Sequence, residues 1–133
     1  FVIDGPPTAA SLLILGQTNP VQVSYEISFS AIYTDLNGDN SSAYQIQVNA
    51  TNTFDGTTMW DSTKTSTTIS TGNRSSDISY AGTPLSYDGT TYYVRMKFWD
   101  SDDNESNWIT GQFTDTLTSF RFNGLNIDGI QLD

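Results

Sequence analysis

Residues 85–100, which read LSYDGTTYYVRMKFWD, decide the fold of this chain. The turn signal Asp88-Gly89 precedes a run whose even-numbered residues are apolar or aromatic, namely Tyr92, Val94, Met96 and Phe98. The odd-numbered residues are polar or amphipathic, namely Tyr93, Arg95, Lys97 and Trp99. Because successive side chains of a β-strand point to opposite faces of a sheet, this alternation predicts a strand with one face on a core.

Further short runs of strand-forming residues are separated by clusters of Gly, Pro, Asn, Asp and Ser, which are typical of turns. No long stretch has the 3.6-residue period of an amphipathic helix. The sequence therefore predicts an all-β fold, an antiparallel sandwich of seven strands or slightly more. We expect the other strands at residues 11–15, 21–34, 44–48, 59–60, 63–71, 77–80 and 108–116.

Composition excludes several classes of function. The chain has 133 residues, the size of one domain, and neither Cys nor His, so disulfides, thiolate chemistry and the commonest general base are absent. Its net charge of −10, from 5 basic and 15 acidic residues, repels phosphate backbones, and we expect no nucleic-acid binding. The longest apolar run, residues 12–15, is far shorter than the roughly 20 residues of a membrane span, so no membrane insertion is predicted.

Four motifs carry a family resemblance: Ala31-Ile32-Tyr33-x-Asp35, Tyr44-x-Ile46-x-Val48, Met59-Trp60-Asp61-Ser62 and Gly89-Thr90-Thr91-Tyr92-Tyr93. Over residues 7–116 the chain resembles the fibronectin type III-like and immunoglobulin-like β-sandwich modules of bacterial, archaeal and phage surface proteins. The resemblance implies that a tyrosine near the start of the sixth strand ties its hydroxyl back to the preceding corner. The tryptophan usual in the second strand is absent, and we expect Phe29 or Tyr33 to fill its volume.

The function that this resemblance implies is a non-enzymatic structural or adhesive module that acts through protein–protein contacts. Such modules serve as virion decorations, or as subunits of extracellular filaments and cell-surface arrays, so we expect an extracellular, cell-surface or virion-surface location and self-assembly or other protein partners. A fold does not name a function by itself. We therefore keep an alternative, a calcium-assisted carbohydrate-binding module with a glycan as its partner.

Residues 119–133, SFRFNGLNIDGIQLD, exceed what a seven-strand module needs. We therefore divide the chain into a sandwich at residues 1–118 and a C-terminal strand or arm at residues 119–133. Asn123-Gly124 and Asp128-Gly129 are hairpin signals. The arm is expected either to pack on its own domain or to add a strand to a neighbouring subunit. Its candidate assembly residues are Phe120, Phe122, Leu125, Ile127, Ile130 and Leu132.

Two acidic loops are candidates for metal binding. In an immunoglobulin-like sandwich the loops after the second and sixth strands lie at the same pole. Calcium prefers about six to eight oxygen ligands, which two such loops together can supply. The alternative is ordinary turn chemistry of Asp and Asn. The candidate calcium ligands are Asp35, Asn37, Asp39, Asp100, Asp102, Asp103 and Glu105.

Aromatic side chains are candidates for contact with a ligand or a partner. Carbohydrate-binding sandwiches use exposed rings because the C–H faces of sugars stack on them. The alternative is packing in the core or between modules. From a wider set that includes Phe54, Tyr87 and Trp108, we select Tyr93 and Trp99, on the outward face of the predicted strand, and Trp60.

No constellation of catalytic residues is identified, and we predict that the chain is not an enzyme. Without His or Cys the usual nucleophile triads are excluded. Nothing in the sequence marks which two of its carboxylates would form a glycosidase pair. Four Asn-x-Ser/Thr sequons are N-glycosylation acceptors if the source organism glycosylates its proteins: Asn40, Asn49, Asn73 and Asn104.

Overall fold

A computed structural model describes residues 5–118 of the chain as two β-sheets packed face to face around one core. The predicted all-β sandwich is confirmed. No helix long and apolar enough to cross a membrane occurs in this described range. Its strands are β1 (Thr8–Ile14), β2 (Ser28–Thr34), β3 (Ser41–Asn49), β4 (Thr58–Asp61), β5 (Thr65–Ser66), β6 (Asn73–Arg74), β7 (Ile78–Ser79), β8 (Thr91–Asp100) and β9 (Ile109–Thr114).

The first sheet has β2 at its centre. Strand β1 pairs with one edge of β2 from Thr8↔Thr34 onwards, and the two short strands β6 and β7 pair with the other edge. The β1–β2 register shifts between Ala10 and Leu13, where Ser11 adopts a positive φ of 52°. Such a bulge bends the strand and changes which side chains face the core.

The second sheet has the order β4–β3–β8–β9, with β5 also pairing with β3. The β3–β8 pair is the longest in the molecule and runs antiparallel from Ser41↔Asp100 to Asn49↔Tyr93. Both of its partners are central strands, so their backbone groups are paired on each side. This pair therefore fixes which residues of the sheet face the core and which face outward.

The core lies between the two sheets, and the residues of β8 buried in it are those that the alternation in the sequence predicts. Val94, Met96 and Phe98 of β8 are completely buried, and Tyr92 is nearly so. The missing tryptophan of the second strand is replaced by two fully buried aromatic residues, as expected. Phe29 packs near Phe113, and Tyr33 meets Phe98 edge to face with ring centroids 5.6 Å apart. Edge-to-face pairs stabilise a core beyond their buried area.

Strand boundaries differ most from the sequence prediction in three places. The second strand begins at Ser28 rather than residue 21, because Val23 binds Thr116 and Thr118 through its backbone instead of joining the sheet. The predicted strand at residues 63–71 is reduced to β5, and Thr63 just before it has a φ of 56°, far from the extended values of a regular strand. Strand β6 was not predicted. The predicted arm at residues 119–133 lies outside the described residues.

The described chain begins and ends at opposite poles of the sandwich. Thr8 pairs with Thr34 at the end where β2 finishes and β3 starts, which we call the N-terminal pole. At the other end, the C-terminal pole, the backbone N–H of Thr118 donates to Val23 O at 2.8 Å. The ten-residue β8 runs between these two ends, and at about 3.3 Å per residue it spans about 30 Å.

A buried carboxylate holds the corner that precedes β8. Asp115 has no exposed surface and accepts hydrogen bonds from the backbone N–H groups of Tyr87, Gly89 and Thr90, at 2.8, 2.9 and 2.8 Å. Its own backbone N–H donates to Thr90 O at 2.9 Å. The corner is therefore clamped by a carboxylate, in the place where the family resemblance implies a tyrosine hydroxyl.

We expect Asp115→Ala to lower the free energy of unfolding by roughly 3 kcal/mol, because three backbone donors lose a charged acceptor in a buried site. Urea unfolding followed by tryptophan fluorescence measures the change. Asp77→Ala is the matched control, since it removes the same charge from an exposed position and is expected to change stability by less than about 0.5 kcal/mol. Equal midpoints for the two variants would refute the clamp.

Candidate functional site

Three carboxylates converge at the N-terminal pole. One oxygen each from Asp35, Asp39 and Asp100 lies within 4.8 Å of the other two. Asp35 follows β2, Asp39 precedes β3, and Asp100 ends β8, so the β3–β8 pairing brings the two acidic loops together. Asp35 and Asp100 are buried, at 4% and 0% exposure, whereas Asp39 is half-buried. This arrangement concentrates negative charge where water is largely excluded.

Within this carboxylate cluster, Asp100 accepts hydrogen bonds from three N–H groups of its own loop. Its Oδ1 accepts hydrogen bonds from the backbone N–H groups of Asp102 and Asn104, both at 2.9 Å, and its Oδ2 accepts one from Asn104 Nδ2 at 3.2 Å. Burial alone would raise the pKa of Asp100, but these bonds and one with Asp35 outweigh it and lower that pKa. Asp100 therefore stabilises the fold above the usual carboxyl pKa, and this stabilisation is lost as the pH falls through its lowered value.

Asp35 and Tyr33 tie the opposite loop to the cluster. Asp35 Oδ1 accepts a hydrogen bond from the Asn37 backbone N–H at 2.7 Å. The Tyr33 hydroxyl lies 2.8 Å from Asp39 O and 3.4 Å from Asp35 Oδ2. Burial and the neighbouring charge of Asp35 raise the pKa of Tyr33, so its hydroxyl stays a donor. Both loops are thus held by their own carboxylates.

The other four predicted calcium ligands do not join the cluster. Asp103 forms an ion pair with Lys64, and Glu105 forms one with Lys97 at 2.7 Å. Asp102 is exposed, and Asn37 Oδ1 accepts a hydrogen bond from the Gly5 backbone N–H at 3.2 Å. Three carboxylates remain where calcium prefers about six to eight oxygens. Calcium binding stays a prediction, now restricted to Asp35, Asp39 and Asp100.

A row of alternating cations and aromatic rings covers the outward face of the second sheet. The guanidinium carbon of Arg95 lies 4.3 Å from the ring centroid of Phe54 and 4.4 Å from that of Trp108. Lys97 Nζ lies 4.5 Å from the Trp108 centroid. The row continues through Trp99, whose centroid is 5.0 Å from Lys97 Nζ and 4.9 Å from the Nζ of Lys64. It gathers three of the five basic residues of the chain.

Trp99 is buried and Trp60 is half-buried, so neither presents a freely exposed ring, and their role as contact residues stays a prediction. Trp99 is 7% exposed because two lysine side chains cover its ring. Trp60 packs against the core, with ring centroids 6.0 Å from Phe29 and 5.5 Å from Tyr80. Tyr93 is half-buried and lines a groove of about 350 Å³ on the outward face. Of the three predicted contact residues, Tyr93 is the one that lines this groove.

The predicted glycosylation sites differ in accessibility. Asn40 and Asn73 are exposed, whereas Asn104 is half-buried and donates to Asp100. Asn49 is only 3% exposed, since its side-chain amide is bonded to Thr51 and Gly56 within the β3–β4 loop. The folded chain therefore does not offer Asn49 for modification.

Sequence reasoning missed the corner clamp Asp115 and most of the groove. Asp115 is one of 15 acidic residues, and no local pattern marks it as buried. The groove takes Asn19 from the β1–β2 connection, Asn52 and Phe54 from the β3–β4 loop, and the rest from β8 and β9. In the sequence, Asn19 indicates a turn only, because it precedes Pro20 in a polar segment.

Solved structures similar to this chain are parts of larger enzymes or isolated domains. The chain is 25% identical to the alpha-L-rhamnosidase from Dictyoglumus thermophilum, with a TM-score of 0.67, over 80% of this chain and 12% of that one. It is 21% identical to the Streptomyces avermitilis alpha-L-rhamnosidase complexed with L-rhamnose, with a TM-score of 0.68, over 81% and 10%. The chain thus spans about a tenth of these two enzymes.

A third similar structure corresponds to a whole domain. The PKD domain of an M14-like peptidase from Thermoplasmatales archaeon SCGC AB-540-F20 is 23% identical, with a TM-score of 0.57, over 84% of this chain and 97% of that one. No protein of curated function matches the chain. Residues 10–117, most of the two sheets, match the family described as Rha78A-like, N-terminal immunoglobulin domain. The chain therefore belongs to the family of Rha78A-like N-terminal immunoglobulin domains.

Proposed function

We propose that this chain is a non-catalytic accessory module that spaces and orients neighbouring domains or subunits of a larger extracellular assembly. The observation that carries the proposal is that the first and last backbone contacts of the sandwich, at Thr8 and Thr118, lie at opposite poles. A module built in this way separates its neighbours by its own length. Its family and the small fraction of each rhamnosidase that it matches support an accessory role.

The exposed apolar side chains lie where neighbours would make contact. Leu36, in the loop between β2 and β3 at the N-terminal pole, is 99% exposed. Val21 and Tyr25, on either side of Val23, which bonds to the backbone of Thr116 and Thr118 at the C-terminal pole, are 71% and 72% exposed. Contacts between consecutive domains are smaller and more polar than those of obligate complexes, so a few apolar side chains at each pole suffice.

The chemistry of the carboxylate cluster also favours a non-catalytic role. Each buried carboxylate accepts hydrogen bonds from the backbone of its own loop, so it serves to hold the loop. A glycosidase pair instead needs two carboxylates flanking a substrate cleft at about 5 to 10 Å. The virion, filament and cell-surface settings predicted from the sequence belong to this proposal, since a spacer works in each of them.

Two full-length copies joined in tandem test the spacer role. We expect small-angle X-ray scattering to give a maximum dimension larger than that of one copy by about 30 Å or more, because each copy adds the length of β8 along the chain. A maximum dimension close to that of a single copy would show that the copies fold back side by side, and it would refute the proposal.

Pole variants of the same tandem test whether the apolar side chains make the contact. Tyr25→Ser and Leu36→Ser in both copies are expected to broaden the distribution of interatomic distances, and to lower the melting temperature only by the loss of the edge-to-face contact between Tyr25 and Tyr87. Tyr25→Phe with Leu36→Met is the control, since it keeps the apolar surface. A broadening of equal size in both sets of variants would contradict a contact through these residues.

Calcium binding at the N-terminal pole has its own test. If Asp35, Asp39 and Asp100 bind calcium, the melting temperature rises with calcium, and a concentration about ten times Kd adds about 1.4 kcal/mol to stability. Asp39→Asn is expected to abolish this rise, whereas Asp102→Asn, at an exposed position away from the cluster, is expected to keep it. A melting temperature that calcium does not change would leave the cluster as loop-holding carboxylates.

A further inference from the structure

The groove on the outward face of the second sheet has the composition of a small-molecule site. Its volume of about 350 Å³ lies within the range of about 300 to 1,000 Å³ that is typical of ligand sites. Two aromatic rings, three side-chain amides and a hydroxyl line it, and none of its lining residues is charged. These residues are Asn19, Asn52, Phe54, Tyr93, Thr110, Gly111 and Gln112.

The aromatic wall of the groove is held in place before any ligand binds. Phe54 stacks on Arg95 at 4.3 Å, and the other contacts of Arg95 are the Trp108 ring and Gln47, whose Oε1 accepts a hydrogen bond from Arg95 Nε at 2.8 Å. The Phe54 backbone has a φ of 60°, a costly conformation for a bulky residue, and its N–H donates to Thr51 O at 3.1 Å.

The polar wall is positioned by a contact between distant segments. Asn19 also has a positive φ, 47°, and its Oδ1 accepts a hydrogen bond from the Gln112 backbone N–H at 3.0 Å. This bond fixes the Asn19 amide at the rim, next to the outer strand β9. Side-chain amides both donate and accept, so Asn19, Asn52 and Gln112 together match a ligand that carries several hydroxyl groups.

We infer that this groove binds a neutral saccharide of one or two pyranose rings. The face of an aromatic ring is partly negative, and the C–H hydrogens on one face of a pyranose are partly positive, so the sugar stacks on Tyr93 or Phe54. Its hydroxyl groups then meet the amides and Thr110. The absence of charged lining residues, in a chain with 20 charged residues, selects a neutral ligand over an anionic one.

A peptide is a poorer occupant because N–H groups at the edge of β9 already donate hydrogen bonds to residues 19 and 20. A peptide that extends the sheet would need the outward-facing N–H groups of this strand. The N–H of Gln112 donates to Asn19 Oδ1, and that of Thr114 donates to Pro20 O at 3.0 Å. Residues 19 and 20 thus cover the edge at which a peptide strand would add, whereas the aromatic and amide surface beside it stays in the groove.

An array of neutral oligosaccharides probed with the full 133-residue chain tests the inference. We expect at least one neutral glycan to bind, with a Kd of about 1 mM or tighter for one or two sugar rings. The strongest binder on the array is then titrated into labelled protein, with NMR following the side-chain amide signals of Asn19, Asn52 and Gln112. These signals are expected to shift, and those of Gln45, on the same face but outside the groove, are expected to stay.

Substitutions inside and outside the groove show whether glycan binding depends on the groove or on another part of the surface. Tyr93→Ala and Asn52→Ala are each expected to weaken binding at least about tenfold, the second from an exposed loop position where folding is not at risk. Tyr25→Ala removes an exposed aromatic ring elsewhere and is the matched control. The inference is overturned if no neutral glycan binds, if only charged glycans bind, or if Asn52→Ala binds like the parent chain. None of these three results affects the proposed spacer role, since that role rests on the two poles.

Discussion

The antiparallel pairing of β3 with β8 is the constraint on which the rest of the molecule depends. Its register, from Ser41↔Asp100 to Asn49↔Tyr93, sends the even-numbered residues of β8 into the core and the odd-numbered ones outward. It also places Asp100 beside the start of β3, which creates the carboxylate cluster, and Tyr93 beside the β3–β4 loop, which creates the groove. A slip of one residue would invert both faces and dismantle both sites.

Buried carboxylates hold the loops of this chain, a role that disulfides or tyrosine hydroxyls have in many small domains. Asp115 holds the corner before β8, Asp100 holds the loop after it, and Asp35 holds the loop after β2. Each accepts backbone N–H groups of a loop at a pole, so each converts a flexible connection into a fixed one. A charged acceptor makes stronger hydrogen bonds than a neutral one, which offsets the cost of burying it. The acidic composition is therefore partly structural.

The sequence predicts what local periodicity controls and misses what distant segments assemble. Residues 92–98 alternate strictly, and their burial follows the prediction. Trp99 lies on the outward face but is buried, because Lys97 and Lys64 cover its ring, and Lys64 comes from a segment that the alternation of β8 does not relate to Trp99. Asn49 is hidden for a similar reason, since a loop that follows it in sequence folds back over its amide. The groove needs four separate segments, so a single sequence does not reveal it.

The proposed spacer role and the proposed saccharide site share one segment, and this decides which residues can distinguish them. The connection between β1 and β2 contributes Asn19 to the groove and exposes Val21 and Tyr25 at the C-terminal pole. A substitution within this connection can alter both sites by shifting its backbone. Asn52 and Leu36 belong to other loops, toward opposite poles, and effects at separate sites that share no partners add independently. A substitution at Asn52 is therefore expected to affect saccharide binding alone, and one at Leu36 the contact with a neighbour alone. A substitution at Asn19 is expected to affect both properties.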